Sequence, residues 1–320
     1  MNIVEKLQTV IILIAVGTGL LLGQLSLVEQ HAEMFIIPFL LLMLYGLFLT
    51  IPLTGLKNAF KNITFLSTNI FLNFLWTPLL AWGLGAIFLS EYPAIWLGFI
   101  LLLVTPCTDW YLIFTSIAKG NIPLSTSVLP VNLLLQILLL PIYLFIFSGT
   151  METFELSTVL ENVLFVLFVP FILASLTRYF LKKKKKVLEK KVIPFFASSQ
   201  IVFLCLTIVA MFASQGSYLL NNLGIILIMF LPLLLYFSIN FIVAQTAGKL
   251  LNFRYEDTIS LNITIIARNS PVALALVLIA FPDQPLIALA LIIGPLIELP
   301  VLAIIAQLLL KIGKVKTENI

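Results

Sequence analysis

Long apolar runs, separated by short polar connections, follow one another along the whole chain. A helix needs about 20 apolar residues to cross the hydrocarbon core of a membrane. Ten runs approach or exceed that length, at residues 7-28, 34-54, 65-89, 94-118, 122-148, 158-180, 194-214, 223-247, 258-281 and 285-310. The pattern therefore predicts an all-α integral membrane protein with ten transmembrane helices.

Composition and charge agree with this prediction. The chain is 61% hydrophobic and 10% charged, with a mean hydropathy of +1.16, well outside the range of soluble domains. The net charge of +4 does not indicate a nucleic-acid partner, because no polar surface is left to carry a basic patch. Apart from Arg268, every Lys and Arg falls in connections on one side of the membrane, the lysine run at 182-186 included. Basic residues are retained on the cytoplasmic side, so both termini are predicted to be cytoplasmic in a protein of the cell membrane.

The two halves of the chain show a weak similarity. With one constant offset, Ala118 aligns with Ala280, Pro123 with Pro285, and the two short turns before these prolines also coincide. We therefore predict a first five-helix repeat at 1-148, an extracellular linker at 149-157 and a second five-helix repeat at 158-320. Because five is odd, the second repeat must be inverted, an architecture typical of secondary transporters.

Two of the predicted spans contain helix-breaking segments. The fourth span reads LLLVTPCTDW at 101-110, and the ninth contains ARNSP at 267-271. Proline removes a backbone donor and disfavours helix at the preceding residue. Unwound backbone at membrane depth is tolerated only against protein or a water-filled cavity. Helices 4 and 9 are therefore predicted to be broken and to cross each other.

Three charged side chains remain inside the predicted spans, namely Asp109, Arg268 and Glu298. Such groups are costly in lipid and are functional candidates by default. Asp109 and Arg268 flank the two breaks and are expected to be neighbours, either as an ion pair that fixes the crossing or as substrate contacts. Glu298 aligns with the neutral Gln136 and is the candidate for proton coupling. A structural carboxyl group hydrogen-bonded to a helix is the alternative interpretation.

Cys107 lies at the first break, where helix ends favour the thiolate, a ligand suited to soft metals and metalloids. Most buried cysteines act as small hydrophobes, which is our interpretation of Cys205 in an unbroken span. Four amides complete the polar inventory and are expected either to line a cavity or to join helices: Asn73, Asn132, Gln136 and Asn269. No cofactor motif and no catalytic motif such as HExxH is present, so the sequence predicts a transporter and not an enzyme.

Several of these motifs resemble those of the bile acid:sodium symporter superfamily, and in particular its arsenite-efflux branch. The matching positions are Leu72-Asn73 before Pro78, Cys107 followed by Lys119-Gly120-Asn121, Asn132 with Gln136, Ala267-Arg268-Asn269, and Gly294 through Val301 with Glu298. The chain departs from the branch at Pro106, where an arginine is usual, at Asp109, which replaces an apolar residue, and at Ser270-Pro271, which replace Phe-Glu.

The resemblance implies a ten-helix transporter that exports arsenite, or antimonite, in exchange for protons. It implies that Cys107 binds the metalloid and that Glu298 carries the proton, with the bilayer as the surrounding medium. A sodium-coupled importer of a small organic anion, with Arg268 as the charge partner, is the alternative. The sodium ligands of that branch correspond to Tyr111-Leu112 and to residues 264-269, where most oxygen ligands of a hard cation are missing.

Overall fold

The computed structural model describes residues 3–50, 61–107, 110–148, 156–220, 224–281 and 284–318, and these are helical almost throughout. The helices are α1 Ile3–Leu22, α2 Ser26–Thr50, α3 Ile63–Phe71, α4 Thr77–Phe88, α5 Pro93–Leu103, α6 Trp110–Ile117, α7 Ile122–Ser148, α8 Leu156–Phe180, α9 Ile193–Leu220, α10 Gly224–Leu250, α11 Tyr255–Ile266, α12 Ser270–Ala280 and α13 Pro285–Glu318. A π-helical turn at Leu72–Trp76 joins α3 to α4 without interruption. Within the described ranges, the one extended feature is a single β-bridge.

Six helical runs in the described residues are long and apolar enough to cross a membrane. They are Ser26–Thr50, Ile63–Phe88, Ile122–Phe147, Phe168–Ser214, Leu227–Leu250 and Leu286–Gly313. The predicted all-α class is confirmed, and the chain is a multi-pass integral membrane protein. The number of ten spans and their inverted repetition stay predictions.

The helices group into two compact units. In the first, α2 packs against α8 and α9, and α1 packs against α9. The second contains α3 to α7, α11, α13 and all but the start of α10; within it, α11 contacts α3, α6 and α7. Each unit draws on both predicted repeats, whose boundaries therefore stay a prediction. Of the predicted linker, 149–155 lie outside the described residues, and Leu156 already begins α8.

The lysine-rich connection between α8 and α9 consists of short helical turns. It forms a 3₁₀ turn at Leu181–Lys184, an α-turn at Lys185–Val187 and a π-turn at Leu188–Val192. Lysine has a high helix propensity, which favours these turns, and Lys184, with a non-helical φ of −109° and ψ of 47°, separates the first turn from the second. One side-chain pair four positions apart, Lys185 with Glu189 at 3.5 Å, adds a small contribution on the exposed surface.

Hydrogen bonds connect the start of α11 to the turn that precedes α7. Asn121 donates from Nδ2 to Oδ1 of Asp257 at 2.7 Å and from its backbone N–H to the carbonyl of Glu256 at 3.1 Å. The Ser260 hydroxyl donates to the Asn121 carbonyl at 3.1 Å. Lys119 adopts a φ of 60°, a left-handed conformation that ends α6. These contacts hold one end of α11 in place.

Within the first unit, α1 approaches α9 so closely that only glycine fits on the facing side. A Cβ at Gly19 would lie 2.6 Å from Cβ of Phe212 and 2.8 Å from the carbonyl oxygen of Val209. A Cβ at Gly23 would lie 2.6 Å from the carbonyl of Ala213. Small residues at this spacing allow helix backbones to pack together in a membrane.

Gly19→Leu is expected to lower the melting temperature of the detergent-solubilised protein, because the added side chain collides with the backbone of α9. Overpacking of this kind costs about 1–3 kcal/mol. Gly17→Leu is the matched control, since a Cβ at Gly17 meets no atom within 4 Å. Equal melting temperatures for the two variants, measured by fluorescence, would show that the close approach does not stabilise this unit.

Candidate functional site

Two helical segments are interrupted at residues that belong to the second unit. The first interruption separates α5 from α6, and the second separates α11 from α12. The unwound residues meet in one antiparallel β-bridge, with Pro106 opposite Arg268. The predicted breaks in helices 4 and 9 are therefore present, and the two broken segments contact each other at the breaks.

Two main-chain hydrogen bonds form the bridge. The N–H of Cys107 donates to the carbonyl of Ala267 at 3.1 Å, and the N–H of Asn269 donates to the carbonyl of Thr105 at 2.7 Å. Backbone groups that have left a helix in a buried position need a hydrogen-bond partner. The two breaks satisfy each other in this way, and Cys107 is held at the point where they pair.

The pattern of these bonds leaves the residues between them free of main-chain pairing. In an antiparallel ladder, such a non-hydrogen-bonded pair directs its own N–H groups away from the partner strand. Pro106 has no N–H and fits this position without loss. The N–H of Arg268, on the opposite side of the bridge, instead donates to Oε1 of Glu298 at 2.8 Å. The non-hydrogen-bonded pairing of Pro106 with Arg268 therefore explains why proline is tolerated at 106 and why the N–H of Arg268 is available to Glu298.

The second break is shorter than the predicted segment 267-271. Helix α11 ends at Ile266, and α12 begins at Ser270, so Pro271 lies in the first turn of a helix and does not unwind one. Proline is favoured in a first turn, where its missing N–H would have no helical partner. Asn269 caps this helix: its Oδ1 accepts from the N–H of Val272 at 3.4 Å.

Arg268 is 2% exposed and directs its guanidinium toward the ends of two half-helices. Nη1 donates to the carbonyl of Leu103 at 3.0 Å, and Nε donates to the carbonyl of Ile266 at 3.4 Å. Nη2 donates to the carbonyl of Ile265 and to Oδ1 of Asn73, the latter at 3.1 Å. Among the described residues, no ion pair involves this guanidinium.

Asp109 lies outside the described residues, so its predicted pairing with Arg268 stays a prediction. An aromatic ring also borders the guanidinium, because Tyr236 of α10 lies with its ring centroid 5.6 Å from Cζ of Arg268. The Tyr236 hydroxyl donates to the carbonyl of Ile265 at 3.3 Å, so the ring is fixed to the same helix end. A cation over an aromatic face is attracted by the ring quadrupole.

Four buried amides form a second group beside Arg268. Asn69 and Asn73 are one helical turn apart, and Asn132 and Gln136 have the same spacing on α7. Nδ2 of Asn69 donates to Oδ1 of Asn132 at 2.6 Å, and Nδ2 of Asn73 donates to Oδ1 of Asn69 at 3.0 Å. Asn69 was missed at the sequence level, although its spacing from Asn73 would have indicated a shared helix face.

Gln136 differs from the other amides in this group. Among the described residues, neither its Oε1 nor its Nε2 has a hydrogen-bond partner, and Nδ2 of Asn132 is likewise unpaired. Both side chains are 1% exposed. A buried polar group without a partner costs about 1–3 kcal/mol, so such groups call for an explanation. Two donors and one acceptor on one face of α7 are suited to a polar, uncharged ligand.

The described candidate site residues are all buried in the second unit: Asn73, Cys107, Asn132, Gln136, Arg268, Asn269 and Glu298. Hydrogen bonds link most of them, either directly or through Asn69 and the backbone of residue 267. No disulfide involves Cys107 or Cys205. The described residues contain no group of three or more His, Cys, Asp or Glu side chains that could hold a metal ion.

Comparison with known proteins gives a consistent result. The chain is 24% identical over 287 residues to the arsenical-resistance protein Acr3 of Corynebacterium glutamicum. The aligned region covers 86% of this chain and 77% of that protein. The chain is 26% identical over 268 residues to an uncharacterized transporter of Synechocystis sp., covering 81% and 69% of the two chains. Residues 37–222, more than half of the chain, match the model of the Sodium Bile acid symporter family. The protein is therefore a membrane transporter that belongs to the Sodium Bile acid symporter family.

Proposed function

We propose that this transporter exports trivalent arsenite, and by the same chemistry antimonite, across the cell membrane in exchange for protons. The observation that carries the proposal is that Cys107 and Glu298 are both hydrogen-bonded to the main chain of the second helix break. The backbone N–H of Cys107 is bonded to the carbonyl of Ala267, and the next residue, Arg268, is bonded to Glu298. The similarity to an arsenical-resistance protein supports the same substrate.

The Cys107 thiol supplies the chemistry that selects a metalloid. Arsenite in neutral water is the uncharged trihydroxide, and a soft thiolate sulfur is a favourable ligand for a soft metalloid. When the thiol replaces one hydroxyl group, an As–S bond forms, an As–O bond breaks, and the thiol proton leaves with the hydroxyl as water. A single sulfur forms a single such bond, so the reverse reaction with water releases the substrate.

The amide group supplies polar contacts for the rest of the substrate. Gln136 offers a donor and an acceptor without partners in the described residues, and Asn132 offers a second donor. A trihydroxide presents both donors and acceptors and carries no charge. It therefore suits these amides better than a carboxylate ion would, because an anion would find donors but no use for the acceptor oxygen.

Glu298 supplies the proton-exchange step. Its Oε1 accepts a backbone hydrogen bond, which a carboxyl group can do in either protonation state, so the contact with Arg268 persists when the charge is removed. Proton binding from the outer side and release to the cytoplasm would accompany outward movement of the metalloid. The proposal includes ten helices in two inverted repeats with cytoplasmic termini, which the paired breaks and the charge distribution support.

Everted membrane vesicles test this proposal, because their lumen corresponds to the outer side. Arsenite should accumulate in the lumen when the lumen is made acidic, and a protonophore should abolish accumulation. A sodium gradient imposed at equal pH should drive nothing. Arsenite movement that follows the sodium gradient and ignores the pH gradient would overturn proton exchange. No arsenite movement, with sodium-driven uptake of an organic anion in right-side-out cells, would favour the alternative function.

Gln136→Leu is expected to raise the KM for arsenite about tenfold, since each lost hydrogen bond contributes roughly 0.5–1.5 kcal/mol. The melting temperature should stay the same or rise, because the amide makes no hydrogen bond in the described structure that the change would break. Asn69→Leu is the contrasting variant. It removes the partner of Asn132 and should lower the melting temperature. An unchanged KM in Gln136→Leu would remove this side chain from the substrate site.

A further inference from the structure

Oxygen atoms from two helix ends converge on one point of the second unit. Leu103 is the last residue of α5, and Ile265 and Ile266 are the last two of α11. The final carbonyls of a helix have no partner within it. Three of these carbonyl oxygens, together with Oδ1 of Asn73, accept hydrogen bonds from the same guanidinium. The local electrostatics at this point are those of a cation-binding position.

The dipoles of the two half-helices increase the attraction of this position for a cation. A helix carries about half a negative charge at its C-terminal end, spread over its last carbonyls. Two such ends meet here, and the surrounding side chains are buried. Unwound carbonyls and half-helix C-terminal ends are the groups that coordinate alkali cations in transporters with broken helices. Without the guanidinium, the carbonyl of Ile265 would keep the Tyr236 hydroxyl as its donor. The other three oxygens would lose their described donor in an apolar interior.

The guanidinium of Arg268 supplies the positive charge that these oxygens need, and it does so from within the chain. The planar guanidinium has several N–H donors that point in different directions, so it can bond to acceptors on different helices. A compact ammonium group cannot reach all of these acceptors at once. Tyr236 borders it through an aromatic face, a contact that favours a cation and not a neutral donor. The side chain is covalently attached, so it cannot leave during a transport cycle.

We propose that Arg268 is a tethered cation: its guanidinium occupies an oxygen-lined position that would otherwise bind a dissociable alkali cation, and it makes this transporter independent of such an ion. The inference goes beyond the proposed function, because it concerns ion binding and holds for any substrate. It predicts that removing the guanidinium creates an alkali-cation site that the native protein lacks.

Thermal unfolding of the purified, detergent-solubilised protein tests this inference without any substrate. The native protein should melt at the same temperature in NaCl, KCl and choline chloride at equal ionic strength. Arg268→Ala should melt lower in choline chloride, and Na⁺ or K⁺ should raise its melting temperature in a saturable manner. At a concentration about 100-fold above the dissociation constant, the increase should be roughly 5 °C. Guanidinium ion at low millimolar concentration should also stabilise this variant and leave the native protein unchanged.

Arg268→Lys is the matched control, since it keeps a tethered charge, and it should be insensitive to the choice of alkali salt. An Arg268→Ala protein that is folded by circular dichroism and responds to neither Na⁺, K⁺ nor guanidinium more than to choline would overturn the inference. Saturable binding of radioactive ²²Na⁺ to the native protein, abolished by Asn73→Leu, would overturn it as well, and that measurement does not depend on the folding of any Arg268 variant. Failure of arsenite export alone would leave all these results unchanged.

Discussion

Cys107→Ser is expected to reduce arsenite accumulation in everted vesicles to the background of vesicles without the transporter. The hydroxyl of serine occupies nearly the same volume as the thiol, but it is a hard ligand and stays protonated, so it forms no stable bond to a soft metalloid. The fold should survive, because the main-chain bond from residue 107 to the carbonyl of Ala267 does not involve the side chain. Radioactive arsenite uptake at matched expression levels measures the effect.

Cys205→Ser is the matched control. Cys205 lies in α9, which belongs to the first unit, and it is only partly buried, so its replacement should leave arsenite uptake close to that of the native protein. Uptake by Cys107→Ser at the native rate would contradict a role for the thiol. Equal losses in both cysteine variants would indicate a general effect on folding instead, which size-exclusion chromatography of the two proteins would reveal.

Glu298→Gln is expected to abolish arsenite accumulation driven by an acidic lumen and to preserve exchange of arsenite between the two sides. The amide oxygen of glutamine can still accept the backbone hydrogen bond from Arg268, so the local structure should persist. The amide cannot bind or release a proton, so substrate movement loses its driving ion. Uptake of labelled arsenite into vesicles preloaded with unlabelled arsenite measures the exchange that should remain.

Glu33→Gln provides the comparison, because it makes the same chemical change at an exposed position of α2. Both accumulation and exchange should then equal those of the native protein. Loss of exchange together with accumulation in Glu298→Gln would mean that the carboxyl group holds the site together or binds the substrate. Native accumulation in that variant would remove Glu298 from proton coupling altogether.

The site residues that could be predicted from sequence were those whose placement inside an apolar helix costs much free energy. Arg268 and Glu298 stand out because a charged side chain inside an apolar span is expensive unless it has a partner. Pro106 stands out because it cannot donate a helical hydrogen bond. These costs can be read from single positions, so a break was predicted near Pro106 and near Arg268, where the structure has one, and the all-helical class followed from run length alone.

The partners of these residues were harder to foresee. The described acceptors of Arg268 are mainly backbone carbonyls, which are present at every residue and leave no trace in the sequence. The expected pairing of Arg268 with Asp109 stays a prediction. Pro271 was assigned to the break but begins a helix, because proline in a first turn and proline in an unwound segment look alike in sequence. Asn69 was overlooked, although its spacing from Asn73 places the two amides on one helix face.

The crossing of the two broken segments depends on main-chain atoms, which nearly every amino acid can supply. The donors at positions 107 and 269 need only an N–H, and the acceptors at 105 and 267 need only a carbonyl. Small side chains at the buried position 107 should therefore yield folded proteins that differ in whether they prefer a solute that binds sulfur or one that binds oxygen. In evolutionary terms, such a scaffold separates the persistence of its architecture from the choice of its cargo, so new specificities can arise by single substitutions.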